Sequence, residues 1–303
     1  MAARNLNIEI TQRFIDAIEA GLEGKWERPW TTIADAGMPL SLSTGKNYRG
    51  INVWILMMEA WAKGYQNNLW GTYKQWQEKG AQVRKGEKST MVVLWKPVTK
   101  QNDQGEDNTF MMLRGFNVFN VDQVEGYEMP ENDDALPEST NERIAAIENL
   151  VSDIGVDVRH GGNRAFYVPS MDFVQMPLIE QFKDSEGYYS TLLHEMVHWT
   201  GHASRVDRDL NAGRFGDEAY AFEELVAELG SAFLMAQFGI SDEPREDHAK
   251  YLRGWLKVLQ NDSKAIFTAA SKAQAAVDFI NGHEAATSTT SDDDEGEAVG
   301  QAS

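Results

Sequence analysis

The sequence predicts an α+β chain of two domains, and three observations predict it. Charge divides, since residues 1–125 carry 15 Lys and Arg against 14 Asp and Glu, whereas residues 126–303 carry 13 against 33. Aromatic content divides with it, because seven of the nine tryptophans lie between Trp26 and Trp95. Hydrophobic periodicity mixes helical spacing with two β-prone runs in the first part, while the second is dominated by helical stretches around a metal-binding pattern. At 303 residues the chain is long enough to bury a sizeable core without covalent staples. It has no cysteine, which excludes a disulfide framework, a thiolate-held metal cluster and a thiolate nucleophile, so any metal must be held by His, Asp or Glu. No apolar run approaches the roughly 18–20 residues that span a bilayer, and the opening MAARNLNIEI lacks a secretory pattern. A cytoplasmic protein with no membrane partner is expected.

In the first domain, Phe14, Ile15, Ile18 and Leu22 repeat at helical spacing until Gly21 and Gly24 interrupt them, which predicts an opening helix ending near Gly24. A second helix is expected over Ile51–Ala62, with Trp54, Met57, Met58 and Trp61 on one face. Thr72 is placed to cap a short helix that runs through Lys79 and stops at Gly80. Met91–Val98 and Thr109–Val121, joined by the polar loop QNDQGEDN, read as an antiparallel pair. Residues 70–100 hold seven Lys or Arg and two Glu, the most positive stretch of a chain whose formal charge is -19. Cations interleaved with Trp70, Tyr73, Trp76 and Trp95 match what single-stranded nucleic acid demands, rings for the bases and positive charge for the phosphates. The candidate contacts are Tyr48, Arg49, Lys74, Trp76, Arg84, Lys85 and Lys88.

Between Asp122 and Glu142 there are eight acids and no base, a self-repelling composition that predicts a linker. The expected boundaries are a first domain over 1–125, an acidic linker over 126–142, a second domain over 143–284 and a disordered acidic tail over 285–303.

The second domain carries His194-Glu195-Met196-Val197-His198. Histidines four apart on a helix share one face and can grip one ion, and the glutamate between them can act on water that the ion activates. Tyr188–Trp199 reads as that helix, with Gly201 as its stop. Zinc needs a third protein ligand. The metzincin pattern would place a histidine at Ser204, and His202 comes two residues too early. The better source is FEELVAELGSAFLMAQFG, a helix with the apolar face Phe222, Leu225, Val226, Leu229 and Phe233. Glu224 and Glu228 share an edge of that face, so one can ligate while the other braces a histidine, and both assignments remain open. Glu223 reads as a solvated acid, and Ala221 and Ser231 as the place where a neighbouring helix comes close. The expected ion is Zn2+, with another divalent metal such as Mn2+ as the substitute. The expected chemistry is peptide hydrolysis, with Glu195 taking the water's proton. Tyr188, Tyr189, His202, Arg205 and Tyr220 are candidate oxyanion donors, and Arg164–Met176 a candidate edge strand for an extended peptide.

LHEMVHWTGH followed by EELVAELGSAFL resembles the zincin-like metallopeptidase domain of phage and plasmid polyvalent proteins. STGKNYRGINVWIL, YKQWQEKGAQVRKGEKS and GFNVFNVDQ resemble the amino-terminal domain of ArdC-type antirestriction proteins, and the two resemblances cover residues 7–283. They imply a DNA-binding first domain specific for single strands and a metalloprotease-like second one, carried by conjugative plasmids to protect incoming DNA. An unidentified protein, drawn from the host restriction system, is the implied substrate. The alternative is a non-catalytic DNA-binding shield whose metal is structural.

Overall fold

The computed structural model describes residues 5–20, 37–101, 107–129, 140–208, 210, 217–240 and 248–282. The first region runs α1 (Leu6–Ala20), β1 (Leu40–Ser41), α2 (Ile51–Lys63), β2 (Leu69–Gly71), α3 (Tyr73–Glu78), β3 (Gln82–Val83), β4 (Thr90–Gln101), β5 (Asp107–Asn120) and β6 (Val124–Glu125). The second runs α4 (Thr140–Ile154), β7 (Val158–His160), β8 (Phe166–Val168), β9 (Phe173–Met176), α5 (Ser185–Thr200), α6 (Glu218–Phe238), α7 (His248–Asn261) and α8 (Ala265–Ile280). The α+β class and the elements expected in the first region are therefore present. The end of the opening helix near Gly24 and the tail over 285–303 lie outside the described residues.

Local chemistry explains the element ends. Thr72 and Gln75 form a reciprocal capping box at the start of α3, which satisfies two amide donors that the first turn leaves open. Gly64, at φ 66°, closes α2 in the left-handed conformation that glycine adopts without steric cost. Gly71 admits Leu42, because a Cβ there would lie 2.7 Å from its Cδ2.

The first region's main sheet has the order β1-β2-β5-β4, with β1 and β2 parallel and the other neighbours antiparallel. β4 and β5 stay in register from Thr90↔Val118 to Gln101↔Asp107, whereas β2 meets β5 only at Asn120 and Phe119. Most of the pair is thus a two-stranded ribbon, roughly 40 Å long at strand rise. The second region's sheet has the order β7-β9-β8. Arg164–Met176, expected as one strand, is a hairpin: the chain turns through Asp172, at φ 53°, so that β8 becomes the outer strand and β9 the central one.

Packing does not follow the charge boundary. One buried cluster joins Ile10 and Phe14 of α1, Trp54 and Met57 of α2 and Met91 of β4 to Leu193 of α5, Phe233 of α6, Leu259 of α7 and Ala269 of α8. Trp54 stands at the junction, its ring 6.2 Å from Phe14 and 6.3 Å from Phe233. Polar ties reinforce the contact, from Thr11 Oγ1 to the Ser263 carbonyl at 2.7 Å and from Gly50 N to Gln274 Oε1 at 2.9 Å. The acidic stretch expected as a linker is structured at both ends. Asp122 accepts from the amides of Gln66 and Asn67, β6 pairs with β3, and α4 begins at Thr140, while residues 130–139 lie outside the described residues.

Candidate metal centre

The site is built on two helices that are capped and closely apposed. Asp184 caps α5 by accepting from Gly187 N at 2.7 Å, and Asp217 caps α6 by accepting from Tyr220 N at 2.9 Å. The helices approach at Gly230, where a Cβ would lie 2.9 Å from Val197 Cγ2. The expectation that a neighbouring helix comes close at Ala221 is met by α7 rather than α5, while Ser231 is buried within α6. A Cβ on Gly254 of α7 would lie 3.0 Å from that of Ala221, and the Ser231 hydroxyl turns back to the Glu228 carbonyl.

His194 and His198 project from α5 with ring centroids 4.9 Å apart and planes at 76°. Both direct Nε2 at Glu224: His194 Nε2 lies 3.7 Å from its Oε2, and His198 Nε2 lies 3.6 Å from its Oε1. One ligand atom from each of the three side chains falls within 4.8 Å of the others. These separations exceed hydrogen-bond length. They approach the edge of about 3.3 Å between donors that sit 2.0–2.1 Å from a tetrahedral ion. Two imidazoles and a carboxylate, with no thiolate, make a donor set for zinc or a similar divalent metal, and the cluster fits such an ion. Glu195 is 6% exposed, and its charge acts on His198.

A second layer of carboxylates stands behind the rings. Glu228 Oε2 lies 3.7 Å from His194 Nδ1, on the nitrogen turned away from Glu224. Glu223, expected as a solvated acid, accepts from His198 Nδ1 at 3.3 Å and is clamped by the buried Arg208, whose guanidinium also donates to Thr200 Oγ1 and the Val197 carbonyl. The expectation fails because it measured Glu223 against the apolar stripe of α6 alone, whereas α5 and the turn after it supply the partners. Burial pushes the His198 imidazolium down, but the Glu223 hydrogen bond and the charges of Glu224 and Glu195 raise it to about 9. Without metal, the stability drawn from that proton is complete below the ordinary imidazole range and is lost as pH rises through about 9. Burial pushes the Glu224 carboxyl up, while His194, His198 and the Tyr220 hydroxyl bring it down to about 2.

Of the other candidate donors, Tyr188 bonds His160 at 2.8 Å, Tyr189 bonds Glu148 at 2.6 Å and His202 bonds Ser204 at 2.8 Å. Arg205 stacks on Trp199 and pairs with Asp172, which fastens the β8–β9 hairpin to the turn after α5. The role of Arg208 was missed, and the one available signal was the cluster of three arginines, Arg205, Arg208 and Arg214, between the histidine motif and α6.

Among the expected DNA contacts, Trp76 is corrected. It is fully buried, its Nε1 donates to the Phe119 carbonyl, and Tyr127 packs edge-on against it at 5.1 Å, so no base can reach the ring. Tyr48 is half-buried against the core. Arg49 pairs with Asp278, Lys74 with Glu78 and Arg84 with Glu87, while Lys85 and Lys88 are exposed.

Residues 145–272 match the family described as zincin-like metallopeptidase, and residues 4–119 match the N-terminal domain of anti-restriction factor ArdC. The crystal structure of the antirestriction ArdC protein from plasmid R388, metal-free, is 38% identical and superposes with a TM-score of 0.77, covering 92% of this chain and 97% of that one. Its Mn(II)-bound structure is 37% identical with a TM-score of 0.75, covering 94% of this chain and 100% of that one. Protein y4eC of Sinorhizobium fredii (strain NBRC 101917 / NGR234) is 44% identical over 90% of each chain. DNA primase TraC of Escherichia coli is 38% identical over 90% of this chain, which spans only 26% of that protein. No helix among the described residues is long and apolar enough to cross a membrane.

Proposed function

Because the chain belongs to the ArdC antirestriction family, we propose that it binds single-stranded DNA through residues 1–125 and carries a metal-dependent peptidase site in residues 143–284. It thereby protects incoming conjugative plasmid DNA from restriction in the recipient's cytoplasm, by cleaving a protein of the host restriction system. The observation that carries the catalytic half is the convergence of His194, His198 and Glu224 at 3.6–3.7 Å, with Glu195 between the two histidines in sequence.

His194 and His198 through Nε2, and Glu224 through its carboxylate, hold the ion, which is zinc or, as in the R388 protein's Mn(II)-bound structure, manganese. When bound, the ion supplies Lewis acidity to a peptide carbonyl and makes a neighbouring water easier to deprotonate. Glu195 takes the proton of the attacking water and returns it to the departing amine. Glu223 holds the His198 ring from behind through Nδ1, and Glu228, 3.7 Å from His194 Nδ1, stands where a small shift would let it do the same, so that each ring turns Nε2 to the ion. Tyr220, whose hydroxyl donates to Glu224, gives its one proton to the oxygen that gains negative charge by turning away from that carboxylate. β8, the outer strand beside α5, offers its free edge to an extended peptide.

Glu195→Gln tests this reading. The variant should keep its metal and its DNA binding while losing peptidase activity and protection during plasmid transfer. Full protection with Glu195→Gln would instead support a shield that covers DNA without catalysis.

A further inference from the structure

The register of the β4–β5 ribbon sorts its side chains by charge. Directly paired residues in an antiparallel ladder share a face, so the pairs Leu94↔Arg114, Lys96↔Met112, Val98↔Phe110 and Lys100↔Asn108 stand on one side. The pairs Trp95↔Leu113, Pro97↔Met111 and Thr99↔Thr109 stand on the other. All of the ribbon's cations, Lys96, Lys100 and Arg114, are on the first face, and none of the described side chains there is acidic. The second face carries no charge among these pairs, and its Thr99 and Thr109 hydroxyls bond across the strands at 2.8 Å.

Rings and cations are interleaved on the charged face. Lys96 Nζ lies 6.0 Å from the Phe116 centroid and Lys100 Nζ lies 5.8 Å from that of Phe110, which is 39% exposed. Among the described residues no carboxylate pairs with these three cations, whereas Arg49, Lys74 and Arg84 are each neutralised within the protein. Lys96 and Lys100 are four residues apart, about 13 Å along a strand, roughly two nucleotide steps of an extended single strand, so every second phosphate of one chain can be met in turn. In a molecule with formal charge -19, an unpaired cationic face bearing the exposed ring of Phe110 beside the half-buried Phe116 is suited to a polyanion with stacking groups.

We propose that single-stranded DNA lies along this face of the β4–β5 ribbon, its phosphates on Lys96, Lys100 and Arg114 and its bases against Phe110. The assignment rests on the single-strand-binding reading above and moves the contact surface from the Arg84–Lys88 turn to the ribbon. It also explains why so long a ribbon is only half covered by the rest of the fold.

The test compares two full-length charge variants by fluorescence anisotropy on an oligo-dT strand and on a duplex of equal length, over a range of salt. Lys96→Glu/Lys100→Glu/Arg114→Glu reverses the cationic face, and Thr99→Glu/Thr109→Glu places acids on the opposite one. Metal content and thermal midpoint monitor folding in both. The cationic-face variant should lose at least tenfold in affinity for the single strand, and its salt dependence should flatten by about 2 log units per log unit, at roughly 0.7 per lost phosphate contact. The opposite-face variant should bind within about twofold of wild type. Equal losses in both variants, or no loss in the first, overturn the placement, as does tighter binding of the duplex through the same residues. A wild-type protein that binds neither nucleic acid overturns the DNA-binding reading itself.

Discussion

Arg208 is the side chain on which the rest of the centre leans. It is 5% exposed and donates to both oxygens of Glu223, whose carboxylate faces His198 Nδ1. Removing a buried guanidinium strands its carboxylate partner, a loss of about 3–5 kcal/mol, and frees the ring it oriented, which typically lowers metal affinity about 10–100-fold. Arg208→Met should show both effects, read by urea unfolding and by competition with a chelator. Unchanged metal affinity would limit Arg208 to a packing role. At this scale the histidine pair was legible, because a spacing of four on a helix fixes a common face wherever the helix packs. The choice between Glu224 and Glu228 was not, since one turn of α6 separates them and only the position of α5 decides which meets both Nε2 atoms. Trp76 was misread for a related reason. Composition reports that rings and cations are neighbours in sequence but not that the ring caps the core behind β5.

Between elements, the metal donors converge because α5 and α6 pack at Gly230, with no side chain to hold the backbones apart. Gly230→Ala would bring a methyl to 2.9 Å from Val197, so the helices must separate or Val197 must shift. The expected cost is about 1–3 kcal/mol, the usual range for overpacking a filled core, together with weaker metal binding as Glu224 withdraws from the rings. Val197→Ala in the same chain should restore both, measured by thermal unfolding and metal titration. Failure of that rescue would place the strain elsewhere. The cap of α3 was legible from the short-range signal of Thr72, and so were the two ribbon strands. The break of Arg164–Met176 into β8 and β9 was not, because its turn depends on Asp172 at positive φ, held by Arg205 from beyond α5.

For the whole molecule, the charge and tryptophan divide marks two domains, and α1 and α2 of the first lie in one buried cluster with α5, α6, α7 and α8 of the second. Charge is a surface property and does not report how apolar faces are shared. A common core predicts that the chain unfolds in a single calorimetric transition, with ring fluorescence from the first region and metal release from the second falling at the same temperature. Divalent metal should raise that one midpoint by mass action. Two transitions, of which only one responds to metal, would contradict the shared core.

The central claim is that His194, His198 and Glu224 hold a divalent cation while Glu228 stands behind. It is tested most directly by bound-metal stoichiometry, from mass spectrometry of protein dialysed against buffered zinc, for wild type beside Glu224→Ala and Glu228→Ala. The account predicts one zinc per wild-type chain, none in Glu224→Ala, and a site in Glu228→Ala that is weaker but still fills at higher zinc. Full occupancy in Glu224→Ala with none in Glu228→Ala would contradict it.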